Sequence, residues 1–147
     1  MSFPRRAPKG FTLTELVVVI AIAAILAAIA TSRYSNQSFD TRGFTDQTLA
    51  MLRYAQKIAV SQRRSVFVVF SGNQVSFCYI ATCTVGQTLQ LPGTTTYQLT
   101  APSNVTLTGT NFSFSALGQP SSGPLTITVA GDVTNTITVE QETGYVH

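Results

Sequence analysis

The apolar positions along this chain change their period twice. Between Phe11 and Ala30 they have no period: from Leu16 to Ala30, fifteen apolar residues follow one another without a break. A helix apolar on every face has no side suited to water, and at ~1.5 Å per residue about twenty residues cross a ~30 Å hydrocarbon layer. Residues 11–32 are therefore expected to form a transmembrane helix. From Thr45 to Arg64 a helical period appears, with Leu49, Leu52, Ala55, Ile58 and Ala59 on one face. Residues 33–64 read as an amphipathic continuation, weakest at Arg42-Gly43, where a helix would bend or break. Unbroken from Phe11 to Arg64, it would span about 80 Å.

After Arg64 the period is two. Val66 to Phe70 reads as a first strand. Val75, Phe77 and Tyr79 alternate with polar or small neighbours, as do Leu125, Ile127 and Val129; Val105 with Leu107, Phe112 with Phe114, and Ile137 with Val139 repeat the pattern. This is apolar-in, polar-out strand. Turns are expected at Ser71-Gly72-Asn73, Leu91-Pro92-Gly93, Ala101-Pro102-Ser103-Asn104 and between Gly118 and Pro124. The expected class is α+β: a long N-terminal helix, half transmembrane and half amphipathic. Its second half packs on a β-rich domain, residues 65–147, of two small antiparallel sheets.

Charge adds an orientation. Of the formal +3, all comes from Arg5, Arg6 and Lys9; the six cations and six acids after residue 10 cancel. Three cations before the apolar run, with only Arg33 close behind it, place the N-terminus in the cytoplasm and the remainder outside. An ordinary secretory signal, cut after the run, stays open on composition. Glu15 weighs against it, because a carboxylate at the start of a membrane span is costly and usually functional.

Candidate chemistry is sparse. Cys78 and Cys83 have four residues between them, a spacing suited to a clip across a hairpin end. In an oxidising compartment such a clip is worth about 2 kcal/mol. Two unpaired thiols or half a metal site are the alternatives, but His147 is the single histidine, so a zinc site lacks ligands. A disulfide is expected, with no metal and no cofactor. Glu140 and Glu142 would share a strand face as two solvated carboxylates, and no nucleophile stands out, so an enzyme is not expected. Arg53, Lys57 and Arg64 lie near one another on the second helix, where a solvated surface is the simplest reading.

Thr12-Leu13-Thr14-Glu15 matches a capping box, which explains Glu15 as well as a functional role does. The wider context separates the two. Gly10-Phe11-Thr12-Leu13-Thr14-Glu15, between a basic leader and an apolar helix, resembles the type IV prepilin signature. The resemblance implies that residues 1–10 are a leader removed between Gly10 and Phe11 by a membrane prepilin peptidase and methyltransferase. It implies an N-methylated Phe11, and a Glu15 that assists assembly with other pilin subunits by offsetting the α-amine of a neighbour's Phe11. Many pilins carry a proline where this chain has Ser32, so a straighter helix is expected.

A second resemblance covers most of the chain. The run from Arg53 to Arg64, the strand Val66 to Phe70 and the closing Thr136-Ile137-Thr138-Val139…Gly144 are similar to the family that joins H-type pseudopilins of type II secretion to T- and U-type minor pilins. Arg42-Gly43-Phe44 and the Leu52-to-Arg64 segment look more specifically like minor subunits of mannose-sensitive-haemagglutinin pili. The resemblance implies a minor structural subunit of a type IV pilus, in initiation, assembly or at the tip. An H-type pseudopilin is the alternative. It also implies a single-pass inner-membrane protein with a periplasmic domain, later incorporated in a pilus or pseudopilus. A role in nucleic-acid uptake is not favoured: family members credited with it end in a Gly-Arg-x-Arg-like motif, and here the end reads Gly144-Tyr145-Val146-His147.

Overall fold

The computed structural model describes residues 10–32, 36–93 and 95–147, which fall into two units divided after Ser35. In the first unit α1 (Leu13–Ser32) is a single helix. Its described side chains are exposed on every face, from Leu16 at 59% and Val17 at 49% to Leu26 at 61%. Among the described residues no helix is long and apolar enough to cross a membrane. Within α1 the described side chains end at Ala28, so the apolar run that the sequence extends to Ala30 is longer than the part described. Leader residues 1–9 and the junction at 33–35, on which the single 54-residue helix depends, lie outside the described residues.

The second unit begins with α2 (Asn36–Gln62), which runs through Gly43 without a break. A glycine in a helix interior costs about 1 kcal/mol relative to alanine. Packing on both sides of it outweighs that cost. Phe44 is buried, and the buried Thr41 and Thr48 anchor the same face. Thr45 and Thr48 donate their hydroxyls to the carbonyls of Thr41 and Phe44, at 2.7 and 2.8 Å, so no polar group is stranded. The helix stops two residues before Arg64. Arg63 turns left-handed (φ 50°), and the N–H groups of Arg64 and Arg63 donate to the carbonyls of Ala59 and Val60. This is a Schellman ending made without glycine.

The strands are β1 (Val66–Ser71), β2 (Gln74–Cys78), β3 (Gln98–Thr100), β4 (Thr106–Thr108), β5 (Phe112–Phe114), β6 (Leu125–Ala130) and β7 (Thr134–Val139). They form two antiparallel sheets in the orders β3-β2-β1-β5 and β4-β6-β7. α2 lies against β1 and β5 of one sheet and β6 and β7 of the other. Its Leu52, Ala55 and Ala59 are wholly buried against Val68, Phe114, Ile127 and Val139, while Leu49 and Ile58 pack at the margin.

Irregular segments complete the edges. Ser121 N–H donates to the Ser113 carbonyl and Ser115 N–H to Gln119, which covers β5. Tyr145–His147 run back along β7, where Thr138 and His147 exchange both backbone bonds. Asn73, in the β1–β2 turn, accepts the Leu107 N–H of β4 on its side-chain oxygen. Past Cys78 the chain pairs with residues 87–89, and the Cys78–Cys83 disulfide closes the loop between.

Two glycines separate two uses of that residue. A Cβ on the exposed Gly43 would meet nothing within 4 Å, whereas one on Gly144 (φ +67°) would collide with the Gly118 carbonyl. Gly43→Ala should raise stability by about 0.5–1 kcal/mol in denaturant melts of the purified protein. Gly144→Ala should lower it by at least ~2 kcal/mol, through left-handed strain and a backbone clash.

Candidate functional site

The start of α1 holds the residues with the strongest chemical pattern. Gly10, Phe11 and Thr12 precede the helix, and Phe11 is 81% exposed. Thr12 is the N-cap. Its carbonyl accepts the Leu16 N–H at 3.2 Å and its hydroxyl accepts the Glu15 N–H at 3.3 Å. The return half of a capping box, Glu15 to the Thr12 N–H, is not formed among the described residues. Glu15 is exposed in the first turn, where a carboxylate complements the helix dipole. From Leu16 to Ala28 only apolar side chains follow it. Among the described residues, a Cβ on Gly10 would meet nothing within 4 Å, so their packing does not require glycine there.

Arg53, Lys57 and Arg64 are all exposed, as a solvated surface requires, and two of them also hold distant partners. Arg53 donates through Nε and Nη2 to the Val146 carbonyl, at 3.1 and 2.9 Å. Arg64 lies over the ring of Tyr79, 3.7 Å from its centre. One cation thus holds the C-terminal residues and another the disulfide-closed loop, leaving Lys57 between them. Glu140 and Glu142 do not share a strand face either. β7 ends at Val139, and the Gly144 turn, with its N–H donating to the Glu140 carbonyl, folds the chain back. That return brings His147 Nε2 to 3.1 Å from Glu140 Oε1 and leaves Glu142 in the turn.

Gln56 was not singled out by sequence pattern, yet its amide donates to the carbonyls of Gly118 and Thr143, at 3.0 and 3.1 Å. Contacts between residues 62 and 87 positions apart leave no local signal; the only hint is a polar residue beside Ala55 on the buried side of a helix. Among the described residues, no three histidine, cysteine or acidic side chains are grouped to hold a metal ion.

An all-round apolar helix with a capped, acidic first turn, and a separate head of one helix under two small sheets, define a minor pilin or pseudopilin. Residues 5–31 match the prokaryotic N-terminal methylation motif. Residues 45–143, more than half of the chain, match the family of Type II transport protein GspH, and the chain belongs to that family. Its fold is similar to that of the type IV minor pilin FimU of Pseudomonas aeruginosa, at 18% identity and a TM-score of 0.62, over 78% of this chain and 91% of that one. It is also similar to the minor pseudopilin EpsH of the Type 2 Secretion System of Vibrio cholerae, at 15% identity and a TM-score of 0.60, over 74% and 94%. No curated protein sequence matches the chain significantly. Pilins and pseudopilins are structural subunits that assemble with others of their kind.

Arg53→Ala removes both bonds to Val146 and should cost about 1–2 kcal/mol. Backbone amide exchange at residues 145–147 should speed up first, and Arg53→Lys should restore protection only in part, because lysine lacks the guanidinium fork.

Proposed function

We propose that this chain is a minor structural subunit of a type IV pilus, cut between Gly10 and Phe11 and methylated on Phe11. Residues 11–32 hold it in the inner membrane, with residues 33–64 and the head 65–147 in the periplasm until incorporation. The observation that carries this reading is Glu15: a carboxylate without a hydrogen-bond partner among the described residues, followed from Leu16 to Ala28 by apolar side chains exposed on every face.

The mechanism is electrostatic. Cleavage by a prepilin peptidase turns the Phe11 nitrogen into an α-amine at the tip of an apolar helix. When such helices gather in a filament core, that cation needs a counter-charge. Glu15 of an adjacent subunit supplies one, and leaving either charge unpaired costs ~3–5 kcal/mol. The pair therefore selects axial register more than it adds stability. The exposed Gly10–Phe11 bond, and a glycine with no steric duty among the described residues, suit a processing site. A second reading, an H-type pseudopilin of a type II secretion system, is supported by the GspH-family match. It uses the same cut, helix and carboxylate. Deleting the chain's gene and scoring pilus assembly against protein secretion separates the two.

Mass spectrometry of filament or membrane fractions should find a mature N-terminus at methylated Phe11; a start at Met1, or beyond Ala30, would overturn the proposal. Glu15→Gln should insert and be cleaved normally but be recovered poorly in sheared filaments. Because Thr12 caps the helix whichever residue stands at 15, wild-type recovery of the Gln variant would leave Glu15 only its local role at the helix start.

A further inference from the structure

Among the described residues, Arg63 (φ 50°) and Cys83 (φ 47°) are the non-glycine residues with left-handed backbone. That conformation presses Cβ towards the following carbonyl oxygen and persists only where the surroundings over-determine it. The two residues flank one contact. Arg64, beside Arg63, lies over the ring of Tyr79 at 3.7 Å, and Tyr79 follows Cys78, the disulfide partner of Cys83.

Neither side of that contact has a core of its own. Residues 60–65, between the buried Ala59 and Val66, are all exposed. Across from them, residues 81, 82 and 84–87 are exposed, with Val85 at 97%, and Ile80 and Cys83 are only half-buried. Two turn bonds shape this loop: Cys83 N–H donates to the Ile80 carbonyl at 3.3 Å and Gln87 N–H to the Thr84 carbonyl at 3.0 Å. Tyr79 N–H closes its base on the Gln87 carbonyl at 2.7 Å. Those bonds join the loop to itself. The disulfide joins Cys83 to Cys78, a wholly buried residue at the end of β2.

We infer that the Cys78–Cys83 disulfide is a redox latch on the C-terminal end of α2. Closed, it seats Tyr79 under Arg64 and so supports the left-handed turn at Arg63 that ends the helix. Open, residues 79–87 fray, Arg64 loses the ring beneath it, and the last turn of α2 loosens as well. Both sheets stay folded on the buried stripe of that helix. Closing the latch passes two electrons from the two cysteine thiols to the disulfide of an exchange partner, which leaves as a dithiol carrying the two protons. A dithiol reductant runs the exchange backwards. A chain made in a reducing compartment therefore carries a loose helix end until its head reaches an oxidising one. That consequence rests on the export proposed above; the latch itself does not.

The test follows backbone amide exchange in the full chain in detergent micelles, before and after reduction with dithiothreitol. Alkylation and intact mass verify that both thiols are free. Reduction should speed exchange at Tyr79, Cys83 and Gln87 about thirtyfold. At Arg63 and Arg64 it should rise about threefold, the weight of one exposed cation–π contact, with β6 and β7 unchanged. Where the bond resists reduction, Cys78→Ala with Cys83→Ala should give the same pattern. Tyr79→Leu in the oxidised chain should reproduce the effect at Arg63 and Arg64, and reduction should then add nothing there. Tyr79→Phe should keep protection, because its ring still faces the cation. Unchanged exchange at residues 79–87 would overturn the inference, as would a change there that does not reach Arg63 and Arg64. So would additive effects of reduction and Tyr79→Leu, or faster exchange throughout β6 and β7.

Discussion

The head is organised around one stripe of α2. Leu52, Ala55 and Ala59 have no exposed surface, and both sheets close on them. The two alanines matter through their size: a small side chain lets a sheet come close to the helix axis, and a larger one would push it away. Neither sheet could bury its apolar face alone, since one has four short strands and the other three. The helix gives both a common floor. Phe44, Met51 and the margin residues Leu49 and Ile58 extend it along the helix. At one end, Gly131 in the β6–β7 turn sits so close to Thr41 that a Cβ there would collide with its side chain. At the other, Arg53 reaches the Val146 carbonyl and Gln56 the carbonyls of Gly118 and Thr143.

What could be read from sequence was what local periodicity encodes. The two helices, the alternating strands and the two-sheet class follow from where apolar residues recur, because burial of one face is the term that decides those elements. The threonine-isoleucine alternation of β6 and β7 is a direct case. What local pattern left open or misplaced shares a cause as well. Propensity leaves the helix at Gly43 undecided, and Thr41, Phe44 and Thr48 hold it to the core on either side. Arg64 fits a helical pattern, but the left-handed turn at Arg63 ends the helix earlier. Arg53, Lys57 and Arg64 stay on the solvated surface that their spacing predicts, but the long-range partners Val146 and Tyr79 left no local signal. Glu140 and Glu142 alternate like strand residues until Gly144 turns the chain back.

At the N-terminus, legibility took another form. Thr12 and Glu15 satisfy a local capping pattern, and the structure forms only the Thr12 half of it. Among the described residues, the carboxylate is left with the helix dipole as its only local partner, and the counter-charge proposed above would be a second one. Gly10 poses a related question, since no described residue would touch a side chain there.

The covered strand edges bear on what the head does while it waits. An open edge presents unpaired N–H and C=O groups and templates the addition of strands from other chains, the usual route to aggregation. Here residues 119–121 lie along β5, residues 145–147 along β7, and Asn73 takes the Leu107 N–H of β4. β3, at three residues, offers little length for a foreign strand to follow. A head closed in this way can accumulate at high local concentration without nucleating fibrils of its own. Under the proposed assembly role, polymerisation is left to the N-terminal helices rather than to the strand edges.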